Sequence, residues 1–316
     1  MSKPVYNSLP DLILLPSSKW EDYELLDSGE GTKLERFGPY QLIRPEPEAV
    51  WERALPSKAW GAAHAVFRPS AEEMGGHWEL LQTMPESWTM VYQGLRFQVQ
   101  LGASRHVGVF PEQASHWDWV QAQIEAARRP LKVLNLFGYT GLATLAAAQA
   151  GAHVTHLDAS RKVITWARLN QQLSGLEERP VRWIVDDVLK YVQREARRGS
   201  QYDGLILDPP KFGRGPKGEV WEFYRLIPEL LRVCSQVMSA QARFVVLTAY
   251  AVKASAVTLH YAVAEMMRSQ RGEVSAGEIV LSEKSAGRAI SMAVFARWKW
   301  NPDRQRSTGH AEDNSA

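Results

Sequence analysis

A glycine turn followed by an acidic residue is the first feature of this sequence whose residue types and spacing could support chemistry. The apolar run 133–137 ends at Gly138, and Gly141 follows three residues later. Glycines let a backbone approach a ligand closely. Asp158 comes about twenty residues after Gly138, the spacing at which a strand–turn–helix–strand unit brings a carboxylate to a ribose. The pattern therefore predicts one half of a nucleotide-binding fold.

Two further apolar runs also end in carboxylates. Residues 181–185 precede Asp186 and Asp187, and residues 205–207 precede Asp208, Pro209 and Pro210. Open α/β folds bind ligands at the carboxyl ends of their strands, so we expect all three strand ends at one edge of a sheet. The glycine turn lacks the full Gly-x-Gly-x-x-Gly that places a pyrophosphate at a helix N-terminus, which disfavours NAD and FAD.

Three motifs together resemble a class I S-adenosylmethionine (SAM)-dependent methyltransferase: residues 135–141, residues 157–160 and residues 208–212. The sequence most resembles the bacterial family that includes the 23S rRNA cytosine-C5 methyltransferase of large-subunit type I, and within it the short, stand-alone branch. Residues 93–113, which include Phe110, resemble the segment that precedes the catalytic domain in that family. The resemblance covers roughly residues 90–300.

The resemblance implies an α/β fold, a Rossmann-like seven-stranded, mostly parallel sheet, here preceded by a small N-terminal β-rich domain. Asp158 suits the ribose diol, because a carboxylate accepts from both hydroxyls, and Asp187 would accept from the adenine amino group. Alternatively, each acid is a helix N-cap, which also occurs after a parallel strand. The residues implied to bind SAM are Phe110, Phe137, Gly138, Tyr139, Thr140, Gly141, Asp158, Ala159, Ser160, Asp186 and Asp187.

The predicted catalytic residues are Asp208, Pro209, Pro210 and Phe212. Methyl transfer from SAM is an in-line displacement, so the enzyme mainly has to hold the reactants in line. In related enzymes the Asp-Pro-Pro turn faces the substrate, and an aromatic residue such as Phe212 stacks on a base. The alternative is a tight turn with a buried phenylalanine.

The sequence departs from its cytosine-C5 relatives at the nucleophile. Those enzymes use a cysteine that adds to C6 of the ring, in a Ser-Cys-Ser-like segment after the fifth strand. Thr248, Ala249 and Tyr250 stand there in this sequence, and its single cysteine, Cys234, shares an apolar helical face with Leu230. We therefore predict a non-covalent transfer, to a nitrogen or oxygen acceptor.

Local composition and the resemblance together predict three regions: a small β-rich domain over residues 1–105, a SAM-binding domain over residues 106–300 and a disordered tail over residues 301–316. Residues 211–221 contain three glycines and a proline, and they predict a mobile loop without regular structure. Lys211, Arg214 and Lys217 make this loop basic, either to contact phosphates or simply as a solvated surface.

Composition narrows the remaining possibilities. The sequence has no apolar run long enough to span a membrane and no signal peptide, and one cysteine suits a reducing cytoplasm. Scattered histidines make a metal site unexpected, and oligomeric state is left open.

RNA is the partner favoured by resemblance. Alternatives are a small-molecule or protein methyltransferase, a non-catalytic RNA-binding relative, and an NAD-dependent oxidoreductase. The Asp-Pro-Pro turn disfavours the oxidoreductase, and the complete cofactor motifs disfavour the non-catalytic relative.

Overall fold

The computed structural model describes residues 9–18, 20–70 and 75–303, so residues 304–316 of the predicted disordered tail lie outside the described part. The elements of the N-terminal third are β1 (Leu12–Pro16), β2 (Tyr23–Gly29), β3 (Thr32–Phe37), β4 (Tyr40–Pro45), α1 (Ser57–Trp60), β5 (Ala65–Pro69), β6 (Gly76–Leu80), β7 (Ser87–Tyr92) and β8 (Leu95–Gln100).

The rest of the chain alternates strands and helices. A 3₁₀ turn (Pro111–Gln113) comes first, then α2 (Ala114–Ala126), β9 (Lys132–Leu136), α3 (Leu142–Gln149), β10 (His153–Asp158), α4 (Arg161–Leu173), β11 (Val181–Val185), α5 (Val188–Arg197), β12 (Gly204–Leu207), β13 (Phe212–Arg214), β14 (Val220–Glu222), α6 (Phe223–Val237), β15 (Phe244–Ala249), α7 (Ala256–Met266), β16 (Gly272–Ser282) and β17 (Ala289–Trp300).

A large, mostly parallel sheet forms the centre of the molecule and confirms the predicted fold class. Its strand order is β1-β16-β17-β15-β12-β9-β10-β11, with β17 antiparallel to both of its neighbours. The sheet has one strand more than the seven predicted, because β1 pairs in parallel with β16. Gly277 permits this pairing, since a Cβ there would lie 1.7 Å from the carbonyl oxygen of Ile13.

Helices cover both faces of the sheet, which explains why its strands are almost continuously apolar. On one face Val133, Val154 and Val246 pack with residues of α2 and α3. On the other face Leu136, Leu207 and their neighbours pack against α5, α6 and α7. Alternate strand residues thus enter two separate cores. No helix among the described residues has both the length and the apolarity needed to cross a membrane.

The N-terminal third is rich in β-structure, as predicted. Strands β2 to β6 form a five-stranded sheet in chain order, and β7 pairs with β8 in a hairpin. Apolar side chains of this third, among them Leu25 and Phe97, share one core with Leu145 of α3 and Leu281 of β16. The domain boundary near residue 105 stays a prediction, since this core is continuous across it.

A buried polar network joins the five-stranded sheet to the β16–β17 hairpin. Asp27 accepts hydrogen bonds from Trp60 Nε1 at 2.9 Å and from Ser285 Oγ at 2.6 Å. Glu283 accepts from Arg288 Nε at 2.9 Å, and Ser28 Oγ donates to its other oxygen. The hydrogen bonds to Asp27, that from Ser285 foremost, outweigh the opposing effect of burial and lower its pKa. The network anchors the hairpin that completes the central sheet.

Candidate functional site

The register of the parallel strands brings the predicted site residues to one edge of the sheet. Leu136 of β9 lies opposite both Leu157 of β10 and Leu207 of β12. Asp158 in turn lies opposite Val185 of β11. The residues that follow these positions, including the glycine turn, Asp186 and Asp208, therefore leave the sheet side by side.

The glycine turn is shaped by a buried histidine that the sequence did not single out. A Cβ on Gly138 would lie 2.3 Å from Cε1 of His156, so the turn closes only with glycine at this position. His156 Nδ1 lies 2.8 Å from Thr144 Oγ1, which accepts from Asn135 Nδ2 at 2.9 Å. Burial lowers the pKa of His156 to about 3, so the ring is neutral. The only sequence signal for a structural role of His156 was its position inside the predicted strand β10.

The turn also holds left-handed backbone at residues that are not glycine. Phe137 has φ of 59° and Tyr139 has φ of 50°, while Gly141 has φ of 88° at the start of α3. Such conformations are uncommon outside glycine and cluster at functional sites. Thr140, between them, donates from Oγ1 to the carbonyl of Gly108 at 2.7 Å. The turn is therefore held by His156 below Gly138 and by the hydrogen bond from Thr140 to the segment before α2.

Asp158 holds the turn in place and keeps acceptor capacity free. Its Oδ2 accepts from the backbone N–H of Tyr139 at 3.0 Å, and its Oδ1 accepts from that of Ser160 at 2.9 Å. Burial raises the pKa of Asp158, against the opposing effect of these hydrogen bonds. Ser160 and not Asp158 is the N-cap of α4, and Ala159 lies between them. Each carboxylate oxygen can accept a further hydrogen bond, as a ribose diol would require.

Asp186 and Asp187 make structural contacts at the next strand end. Asp187 is the N-cap of α5 and accepts from the N–H of Lys190 at 2.9 Å, so the N-cap interpretation holds for this residue. Asp186 forms an ion pair with Arg194 and accepts from the N–H of Asp187 at 2.8 Å. Both side chains remain partly exposed at the edge that carries Asp158.

Asp208 differs from the other acids because half of its carboxyl group has no protein partner. Its Oδ2 accepts from Gln113 Nε2 at 3.2 Å, whereas Oδ1 is buried without a hydrogen bond to any described residue. Burial, with a smaller contribution from Glu112, raises the pKa of Asp208 to about 8. Buried polar atoms are nearly always hydrogen-bonded in proteins, so the free Oδ1 indicates a ligand position.

Residues 211–221 correct one prediction. They form a β-hairpin, β13–β14, in which Gly213 lies opposite Trp221, and not a loop without regular structure. Trp221 is buried, packs on Phe137 at 4.8 Å between ring centroids and donates from Nε1 to the carbonyl of Pro210 at 2.7 Å. Pro209 is buried and Pro210 exposed.

Phe212 extends from this hairpin with 46% of its surface exposed. The buried-phenylalanine alternative is therefore wrong.

An aromatic cluster connects the glycine turn to Asp208. The ring of Phe110 lies 5.5 Å from that of Tyr139 and 5.3 Å from that of Tyr250. Gln113 contacts Asp208 and Tyr250 packs on Phe110, although neither was among the residues predicted for the site. Their signals were weak: a Phe-Pro-Glu-Gln segment before a helix, and a tyrosine immediately after β15. Within the described ranges, no group of three or more histidine, cysteine, aspartate or glutamate side chains could hold a metal ion.

Comparison with known proteins gives matches to one protein family and to solved structures. The family model for S-adenosylmethionine-dependent methyltransferases matches residues 57–260. The solved structure of a SAM-dependent methyltransferase from Agrobacterium tumefaciens is 45% identical, covers 95% of this chain and 98% of that one, and superposes with a TM-score of 0.89.

Two curated ribosomal RNA methyltransferases are more distant. Ribosomal RNA large subunit methyltransferase K of Neisseria meningitidis is 24% identical over 60% of this chain and 54% of its own length. Ribosomal RNA large subunit methyltransferase I of Aeromonas salmonicida is 30% identical over 42% of this chain and 32% of its own length. The chain thus spans about half, or less, of the curated relatives it matches.

The contact between Gly138 and His156 gives a test of the turn. Gly138→Ala should destabilise the fold by about 1–3 kcal/mol, because the added methyl group overlaps the imidazole. In a His156→Ala background the same change should cost much less. Urea unfolding of the two single variants and the double variant would measure this coupling. Strictly additive effects would show that the histidine does not impose glycine at position 138.

Proposed function

The chain belongs to the S-adenosylmethionine-dependent methyltransferase family, and from this premise we propose that it methylates RNA of the large ribosomal subunit. The observation that carries the proposal is the surface beside Asp208, whose Oδ1 has no partner among the described residues. Phe212 is exposed there, and Lys211, Arg214 and Lys217 are exposed on the same hairpin. An aromatic face flanked by cations suits an unstacked base and its phosphates.

In this proposal the cofactor lies across the glycine turn. Asp158 holds the ribose hydroxyls with the acceptor capacity left by its two backbone hydrogen bonds. The Asp187 carboxylate can accept from the adenine amino group while it caps α5, because an ionised carboxylate has about four acceptor positions. Phe110 and Tyr139 form the apolar wall between the turn and Asp208. SAM, when bound, supplies a methyl group already activated on its sulfonium.

The transfer proceeds without a covalent adduct to the protein. Cys234 is fully buried in the core between α6 and the sheet, and burial raises the pKa of its thiol well above the usual value. Ala249, where the cytosine-C5 relatives carry their cysteine, is buried as well. Asp208, Pro209, Pro210 and Phe212 therefore position the acceptor.

The finer assignment is also a proposal. The motifs resemble the short, stand-alone branch of the type I family, but Ala249 separates this chain from the cytosine-C5 chemistry of that family. We infer a nitrogen or oxygen acceptor and a cytoplasmic enzyme, since a ribosomal RNA substrate and one buried thiol both fit that compartment.

The cofactor assignment predicts how Asp158→Ala behaves. SAM and its demethylated product should bind the wild type, and NAD should not. Asp158→Ala should weaken SAM binding by roughly 1–3 kcal/mol, because charge-assisted hydrogen bonds are lost. Isothermal titration calorimetry measures both effects, with Glu178→Ala, an exposed acid before β11, as the control expected to bind like wild type. Equal affinity in Asp158→Ala would remove this residue from the cofactor site.

The substrate assignment predicts a loss of one ribosomal RNA methylation in cells that lack the gene, detected by mass spectrometry. The variant Lys211→Ala/Arg214→Ala/Lys217→Ala should bind this RNA more weakly. The slope of log affinity against log salt should fall by about 2 if all three cations contact phosphates of a single strand. SAM affinity should be retained.

The matched control for the hairpin is Arg179→Ala/Arg182→Ala/Arg197→Ala, which removes three exposed cations on or near the edge strand β11 and the end of α5. An equal loss of RNA affinity in both triple variants would indicate nonspecific attraction. An unchanged RNA modification profile in cells without the gene would favour a small-molecule or protein acceptor.

The non-covalent mechanism predicts that Cys234→Ser keeps its methyl-transfer rate within about threefold, with a modest stability loss from the buried hydroxyl. Single-turnover transfer to the RNA identified above is the measurement. If Cys234→Ser remains folded and binds SAM but transfers no methyl group, the mechanism is covalent and cytosine C5 becomes the leading acceptor.

A further inference from the structure

Two buried polar atoms beside the aromatic cluster have no partner among the described residues. They are Oδ1 of Asp208 and the hydroxyl of Tyr250, which has Gln113 and Glu112 beside it but meets the geometry of a hydrogen bond with neither. Asp208 directly follows β12, and Tyr250 directly follows β15, the neighbouring strand in the sheet. A buried polar atom without a hydrogen bond is costly, so two of them at one strand edge require an explanation.

We propose that Asp208 Oδ1 and the Tyr250 hydroxyl hydrogen-bond the acceptor base, and that Gln113 and Glu112 are positioning residues for Asp208. The inference rests on the proposed function and deepens it. A carboxylate accepts and a phenol donates or accepts, so the pair fits a base edge with an N–H group next to an acceptor atom. The aromatic ring of Phe212 would cover the face of the same base.

Gln113 orients the carboxyl group of Asp208. Its Nε2 occupies Oδ2 and leaves Oδ1 as the free oxygen. The 3₁₀ turn that carries Gln113 is itself fixed, because the N–H of Gln113 donates to the carbonyl of Phe110 at 3.0 Å. Ser17 Oγ also donates to the carbonyl of Pro111 at 2.8 Å. Gln113 is buried, so its amide has little freedom to release Asp208.

Burial is the main cause of the raised pKa of Asp208, and the nearby Glu112 raises it further. Glu112 is buried on the same 3₁₀ turn, and burial raises its pKa against the opposing effects of Lys33 and Arg44. Those two cations already have acidic partners: Arg44 Nε lies 2.6 Å from Glu35 Oε2, and Lys33 Nζ lies 3.2 Å from Glu46 Oε2. Neither cation is therefore an exclusive ion-pair partner of Glu112 or of Asp208.

The ionisable groups that act on this pair come from several elements. Glu112 and Tyr250 face Asp208, whereas Lys33, Arg44, Glu35 and Tyr23 of the five-stranded sheet act on Glu112. Two nearby carboxyl groups in a buried site favour the retention of one proton. The acceptor role of Oδ1 needs the ionised carboxylate, so transfer should rise with pH as Asp208 loses its proton.

The test is the pH profile of single-turnover methyl transfer to the ribosomal RNA, with calorimetric SAM affinity measured on each protein. The wild-type rate should rise through pH about 8. Glu112→Gln removes a negative charge at constant size, so its midpoint should move down by roughly half a pH unit or more. Glu112→Asp keeps the charge and should keep the wild-type midpoint.

Tyr250→Phe removes only the hydroxyl group and should lower the transfer rate at least tenfold at unchanged SAM affinity. Tyr191→Phe is the matched control, since Tyr191 is also buried but lies on α5 in the core, and it should transfer at the wild-type rate.

Two results would overturn the inference. If the wild type methylates the RNA but Glu112→Gln keeps the midpoint and Tyr250→Phe keeps the rate, the inference is wrong and the proposed function stands. If the wild type binds SAM but does not methylate ribosomal RNA, the proposed function and the inference fail together.

Discussion

The pairing register of β9 is the constraint on which the rest of the site depends. Leu136 lies opposite Leu157 on one side and Leu207 on the other, so the strands β9, β10 and β12 end at the same level of the sheet. A slip of one residue would exchange the two faces of a strand and turn its apolar side chains into the wrong core. The two separate apolar cores therefore fix the positions of Asp158 and Asp208, although neither acid belongs to a core.

The glycine turn shows how this register is converted into a binding surface. His156 lies under Gly138, and its hydrogen-bonded contact with Thr144 holds the ring in the interior. The chain passes over the imidazole in a left-handed conformation at Phe137 and Tyr139, which is unfavourable for residues with a Cβ. Asp158 offsets part of that cost through the Tyr139 N–H. This acid is thus a structural anchor of the turn, and in the proposed function it also faces the cofactor.

Local sequence patterns were sufficient to predict the strand–turn–helix units and their acidic ends. Apolar runs, glycines and the Asp-Pro-Pro turn are properties of neighbouring residues, and the large sheet follows from their alternation with helices. The left-handed backbone at Phe137 and Tyr139 was not foreseeable from local sequence, because it belongs to a turn that packs on His156 of the adjacent strand. The edge strand β1 depends on a close backbone approach at Gly277, more than 250 residues away.

The β13–β14 hairpin illustrates the same limit. Three glycines disfavour a strand by intrinsic preference. Trp221 nevertheless stabilises the hairpin by packing on Phe137 and by its hydrogen bond to the Pro210 carbonyl. Gln113 was not predicted for a similar reason, since its hydrogen bond is to Asp208, which is distant in the sequence. Tertiary contacts, and not local propensity, decide both cases.

The residues around Asp208 are also the basis for proposing a transfer without a protein nucleophile. Ala249 faces the apolar core on the α6 and α7 side, whereas the next residue, Tyr250, packs on Phe110 beside Asp208. In the proposed mechanism these side chains orient the acceptor and hydrogen-bond to it without forming a covalent adduct. A methyl group activated on a sulfonium needs an aligned acceptor more than a covalent intermediate. The substitution of the cysteine segment by Thr-Ala-Tyr is therefore consistent with an acceptor that is nucleophilic by itself.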